Sequence, residues 1–228
     1  MNNAAARLQN IRQRIENACA AAGRKAAEVA LLAVSKRQGA DKIAALNELG
    51  IAAFGENQLQ EALDKQRQLE SLALQWHFIG AIQSNKTRAI ANHFQWVQSV
   101  DRPRILRRLA NQRPPELPPL NILLQVNIDR EPQKAGADPA EIPQLAALAG
   151  ELDNIRLRGL MAIPKLTPDR DRQRDSFQRV RLIYEELLGA GHDLDTLSMG
   201  MSADLEAAIE AGSTMVRIGT DLFGPRKP

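Results

Sequence analysis

Apolar residues along the chain fall into two alternating rhythms, one long and helical, the other short and continuous. The helical rhythm opens over residues 4–22. There Leu8, Ile11, Ile15, Ala18, Cys19 and Ala22 recur on one stripe, and Gly23 ends the run. Residues 29–34 follow as an unbroken apolar stretch, too short for a helix and suited to a strand covered on both faces. Comparable runs recur at 52–56, 75–80, 96–101, 121–128, 156–163, 196–200 and 215–220. Helix-period segments separate them at 41–49, 57–73, 84–93, 103–112, 139–151, 169–190 and 202–211.

Strand alternating with helix implies right-handed crossovers and a parallel sheet. Eight strands in 228 residues favour an α/β fold of the (β/α)8 TIM-barrel type, with the first helix as an addition that covers the outer seam. No helix is expected after the last strand. An open doubly wound sheet is the alternative, but the turn after the first strand, residues 36–40, has no G-x-G-x-x-G phosphate loop. No strong boundary interrupts the chain, so one domain over 1–228 is expected. The proline-rich 113–119 is a stiff connector, and the charged stretch 164–175 reads as a mobile loop at a strand's C-terminal end.

Composition narrows the class. With 44% apolar and 25% charged residues the chain has material for a buried core and is not a disordered sequence. No apolar run approaches the roughly 20 residues of a membrane span, and the first residues lack the pattern of a secretion signal. Cys19 is the one cysteine, which excludes an internal disulfide framework and points to the cytoplasm. Thirty Lys and Arg against 27 Asp and Glu leave a net charge of +3. The cluster Arg102, Arg104, Arg107, Arg108 and Arg113 has no interleaved aromatics, so it reads as a solvated helix face, and no nucleic-acid partner is expected.

In such barrels chemistry gathers where strands end. Lys36 directly follows the first strand on the same face as Leu32 and Val34. A partly desolvated lysine there is a usable amine nucleophile towards an aldehyde or ketone; the plain reading is a lysine reaching into solvent. Arg217 lies between Val216 and Ile218 and, if it faces the interior, needs an acceptor or a ring. Pairing with a core carboxylate such as Glu56 or Asp101 is the plain reading. The last two strand ends carry Ser198, Met199, Ser202, Gly219 and Thr220, and barrels often bind phosphate at those loops. Ser202 stands where a helix N-cap would sit; turn and cap chemistry alone would also explain these residues. His77, between Trp76 and Phe78, reads as a core histidine and Cys19 as packing. No metal-ligand spacing is present.

Six motifs occur in order: AVSK (33–36), FGEN (54–57), WHFIG with QSNK (76–86), LMAIP (160–164), LSMGMS (197–202) and VRIGTDLFG (216–224). As a set the chain resembles the pyridoxal phosphate homeostasis proteins, single-domain relatives of the N-terminal barrel of alanine racemase. The resemblance implies that Lys36 carries pyridoxal 5′-phosphate (PLP) as an internal aldimine and that Arg217 lies beside the pyridine nitrogen. It implies phosphate contacts from Ser198, Ser202, Gly219 and Thr220, with Asn57 and Met199 lining the cofactor. Where the family usually has a proline after the lysine, an aromatic after Glu-Asn and a proline after Phe-Ile-Gly, this chain has Arg37-Gln38-Gly39, Gln58 and Ala81.

An arginine at the pyridine nitrogen weakens the ring as an electron sink. A racemase also needs an opposed acid/base, and the one tyrosine, Tyr184, falls in a predicted outer helix. The expected function is therefore a monomeric PLP keeper in vitamin B6 homeostasis without robust catalysis, delivering to PLP-requiring apoenzymes. The alternatives are a weak amino-acid racemase or other aldimine-using enzyme and, lower, a cofactor-free lysine aldolase.

Overall fold

The computed structural model describes residues 2–224. Among them eight parallel strands close into a barrel in sequence order. The strands are β1 (Ala30–Val34), β2 (Ala53–Glu56), β3 (Gln75–Phe78), β4 (Trp96–Val100), β5 (Leu120–Val126), β6 (Ile155–Ala162), β7 (Thr196–Ser198) and β8 (Met215–Ile218). β8 returns to β1, pairing Leu32 with Arg217, which removes both sheet edges. The expected TIM-type architecture is the observed one.

Seven helices follow the first seven strands: α2 (Ala40–Glu48), α3 (Leu59–Gln68), α4 (Thr87–His93), α5 (Pro103–Gln112), α6 (Ile142–Gly150), α7 (Arg170–Gly189) and α8 (Leu205–Glu210). Their apolar faces meet the outward-facing strand residues in one continuous core that includes Phe54, Ile90, Leu106 and Leu124. α1 (Asn2–Ala21) buries the predicted stripe, Leu8, Ile11, Ile15 and Cys19, and packs against α8. Each such aliphatic residue taken from water contributes roughly 1.5–3 kcal/mol, enough to hold an added helix on the barrel. No described helix is long and apolar enough to cross a membrane.

Three expectations need correction. A one-turn helix, α9 (Thr220–Phe223), does follow β8, and α1 packs on it as well. The loop after β6 is shorter than 164–175, because Asp169 caps the Asp171 and Arg172 amides and starts α7 at Arg170. Helix α8 starts later than 202, with Asp204 rather than Ser202 at the N-cap. The Asp204 carboxylate instead accepts the Met201 amide at 2.6 Å, closing the preceding turn.

Candidate functional site

Lys36 is presented by a tight turn that leaves β1. The Gln38 amide donates to the Ser35 carbonyl at 3.0 Å, and Arg37 sits at φ 60°, a left-handed backbone uncommon for a side-chain-bearing residue. The turn is held from behind. Lys65 Nζ, on α3, donates to the Ser35 carbonyl at 2.8 Å and to Glu56 Oε1 at 2.7 Å. Ser35 Oγ donates to the same Glu56 oxygen at 2.6 Å, and Glu61 accepts from Lys65 and from the Arg37 amide, each at 2.5 Å. Burial pushes the Glu56 carboxyl up, against the pull of Lys65 and Ser35. This cluster lies between barrel and helices, while Lys36 lines the cavity at the barrel mouth.

Arg217, on β8, is 3% exposed. Its Nη1 donates to the Ser198 carbonyl at 2.7 Å and to Ser198 Oγ at 2.8 Å, and Nη2 donates to the Ala162 carbonyl at 2.9 Å. The carboxylates suggested as partners are engaged elsewhere, Glu56 with Lys65 and Asp101 with Arg102. Burial lowers the guanidinium to about 10, with the more distant Asp204 charge opposing, so it stays charged at neutral pH. A buried cation held by neutral oxygens, rather than by a contacting carboxylate, favours an incoming anion.

The cavity encloses about 620 Å³ at the C-terminal ends of the strands. Of the eight residues singled out from sequence, Lys36, Asn57, Ser202, Arg217, Gly219 and Thr220 stand in its wall. Ser198 and Met199 do not. Ser198 is fully buried in contact with Arg217, and Met199, on the opposite phase of the chain, belongs to the core between barrel and helices. Gly200, at φ 92°, then turns the chain so that Met201, Ser202 and Ala203 reach the wall; a Cβ there would stand 2.6 Å from Ala208 Cβ.

The backbone amides of Ser202, Ala203, Gly219 and Thr220 donate to no acceptor among the described residues. They belong to the turn after β7 and to the start of α9, on one side of the cavity. Arg14 fixes both segments from outside: it donates to the Ser202 carbonyl at 2.8 Å, to Glu206 Oε1 at 2.8 Å and to Asp221 at 3.1 Å. Unpaired amides gathered this way form a cradle for an anion.

Read from sequence, other wall residues carry no site role, although Met161 stands at a strand end within the LMAIP motif. Gln125 is an inward-phase glutamine in the apolar strand β5, a signal available in the sequence; its amide donates to the Ala135 carbonyl at 2.9 Å. Met161 supplies apolar wall at the end of β6. Lys134 comes from a loop with no periodic pattern, which Asn127 folds back by bonding the Glu131 amide and carbonyl. Lys134 Nζ donates to the Pro164 carbonyl at 2.9 Å and pairs with Glu131 at 2.6 Å. Lys36, Lys134 and Arg217 make the wall cationic, and none of the described residues lining it is Asp, Glu, His, Cys or Tyr. The arrangement suits a small anion that also carries a group reactive towards an amine.

Residues 6–227 match the family described as "Alanine racemase, N-terminal domain". The pyridoxal phosphate homeostasis protein of Pseudomonas aeruginosa is 55% identical over 99% of this chain and 97% of its own length. That of Escherichia coli K12 is 48% identical over 99% and 98%. PipY of Synechococcus elongatus, solved with PLP bound, superposes with a TM-score of 0.83 at 36% identity, covering 97% of this chain and all of PipY. The chain thus belongs to the pyridoxal phosphate homeostasis proteins, within the family built on the N-terminal domain of alanine racemase.

Proposed function

We propose that this chain binds PLP reversibly through Lys36 and serves as a keeper of that cofactor in vitamin B6 homeostasis. The observation that carries the reading is one cavity that joins Lys36, the buried Arg217 and the unpaired amide cradle at 202–203 and 219–220. The residues fit the cofactor's chemistry. The cradle and the Ser202 and Thr220 hydroxyls would take the phosphate, Arg217 would donate to the ring nitrogen, and Asn57 and Met161 would flank the ring. When bound, PLP would supply an aldehyde that reacts reversibly with amines, and Lys36 is the wall residue that would hold it. Ser198 would support the ring site through Arg217, and Met199 would support the mouth through packing.

Keeping is favoured over catalysis by what the wall offers. Arg217 is a fixed cation and disfavours a second positive charge on a ring nitrogen beside it. Tyr184 packs on the outer side of the barrel, where a Cβ at Gly159 would meet its ring at 3.1 Å, and it lies away from the cavity. A racemase needs two opposed groups that can exchange a proton with substrate. The wall's second amine, Lys134, is tied to the Pro164 carbonyl and Glu131. Reversible release would let the chain supply PLP-requiring apoenzymes, acting as a monomer in the cytoplasm.

A titration with PLP against pyridoxal, which lacks the phosphate, tests the site. The reading expects PLP to bind at least tenfold more tightly, since charge-assisted bonds to the phosphate contribute about 1.5–3 kcal/mol each. Equal affinity would contradict it. In the cell, deletion should perturb B6 vitamer pools, and a Lys36→Ala gene should fail to restore them.

A further inference from the structure

A single file of polar side chains crosses the apolar interior of the barrel. It starts at Gln75, at the N-terminal end of β3, and ends on Arg217 in the cavity wall. Gln75 Oε1 meets His77 Nε2 at 3.0 Å, and His77 Nδ1 meets Gln98 Nε2 at 2.9 Å. Ser198 Oγ donates to Gln98 Oε1 at 2.8 Å and accepts from Arg217 Nη1 at 2.8 Å. His77, Gln98, Ser198 and Arg217 are all nine-tenths or more buried. The His77 ring stacks on Trp96 with centroids 5.1 Å apart and planes 7° from parallel.

The Arg217 end dictates the direction of every bond. A guanidinium only donates, so the Ser198 oxygen accepts and its proton turns to Gln98 Oε1. Gln98 must then present its amide hydrogens to His77 Nδ1, which is the unprotonated nitrogen. Nε2 carries the proton and donates to Gln75. With its hydroxyl proton committed to Gln98, Ser198 offers Arg217 a lone pair only. Nε–H and one Nη2–H are then the guanidinium donors that no described residue accepts.

We propose that Gln98, with His77 behind it, is a positioning residue that acts through Ser198 to hold Arg217 in one orientation, keeping those two donors for the ligand. The role towards a cofactor ring rests on the PLP reading above; the restraint on Arg217 does not. Without Gln98 the Ser198 hydroxyl turns freely, and one of the bonds that fix the guanidinium loses its directed acceptor.

Guanidinium hydrogen exchange at Arg217, followed by NMR in the full chain without cofactor, tests the restraint directly. Loss of one buried hydrogen bond corresponds to about a tenfold change. Gln98→Leu and Ser198→Ala should each speed the exchange by about that factor, and the double variant should exceed neither. With PLP added, both variants should bind about tenfold more weakly, while Phe177→Leu, in the outer layer, should lower stability and move neither readout.

A second variant covers poor folding of Gln98→Leu. Gln98→Glu keeps an acceptor for Ser198 but offers His77 Nδ1 only an acceptor. It should leave Arg217 exchange at the wild-type rate and move the imidazole proton to Nδ1, seen in the ring nitrogen shifts. Unchanged exchange in Gln98→Leu, additive effects in the double variant, or an unmoved His77 proton in Gln98→Glu would each overturn the proposal. A wild-type chain that fails to bind PLP would overturn the functional reading instead, and the exchange rates would still decide this one.

Discussion

Arg14 and Ser202 lie 188 residues apart and are joined by a 2.8 Å bond from the Arg14 guanidinium to the Ser202 carbonyl. The same guanidinium reaches Glu206 and Asp221, so the added helix α1 braces the two segments that form the amide cradle. Arg14→Met keeps the aliphatic packing and removes the brace. PLP affinity should fall about three- to tenfold with a stability loss of about 1 kcal/mol, because the ion pairs are partly exposed. An absorbance titration and a urea melt read the two effects.

Lys65 and Glu56 are both buried behind the Lys36 turn. Lys65→Met leaves Glu56 without its cationic partner and the Ser35 carbonyl with the Gln38 amide as its one remaining donor among the described residues, and should cost about 3–5 kcal/mol in urea unfolding. Lys65→Met with Glu56→Leu removes both charges and should recover a large part of that loss. A single variant as stable as wild type would show that the pair does not hold the turn.

Gly80 lines the mouth because nothing larger fits. A Cβ there would lie 2.2 Å from the Asn57 carbonyl oxygen, and the obstructing atoms are backbone. Gly80→Ala should destabilise the chain by about 1–3 kcal/mol and weaken PLP binding as Asn57 shifts. Gly150→Ala, where nothing lies within 4 Å, should instead leave stability unchanged or raise it by up to about 1 kcal/mol. Thermal melts of the pair check the contrast.

His77 is buried, and that burial lowers its imidazole from the ordinary 6.5 to about 3. Between those values the unfolded chain binds the proton and the folded chain does not. Folding stability therefore falls as pH drops from about 6.5 towards 3. The urea midpoint of wild type should decline over this window. His77→Gln should start lower at pH 7 and decline less; parallel curves would mean that His77 does not titrate on unfolding.

The barrel was legible because short apolar-rich runs, led by the unbroken 29–34, alternate with longer amphipathic stretches, two periods that do not mimic one another. Lys36 and Arg217 were legible because a cation beside or inside such a run has few uses. The bonds that hold Arg217 were not, since Ser198, Ala162 and, behind Ser198, Gln98 come from three other strands and meet only when the barrel closes. Asp204 displaced Ser202 as the cap because its carboxylate closes the Met201 turn, a choice between two good capping residues that spacing alone does not make. Lys134 arrives on an irregular loop whose path depends on Asn127.

The proposed chemistry of the cavity turns on Lys36 as the amine that holds PLP. Borohydride reduction of the wild-type chain with equimolar PLP, followed by peptide mass mapping, tests it most directly. One covalent adduct per chain, on the peptide carrying Lys36, is expected. Adducts scattered over surface lysines, or no adduct from a chain that still binds PLP, would contradict it.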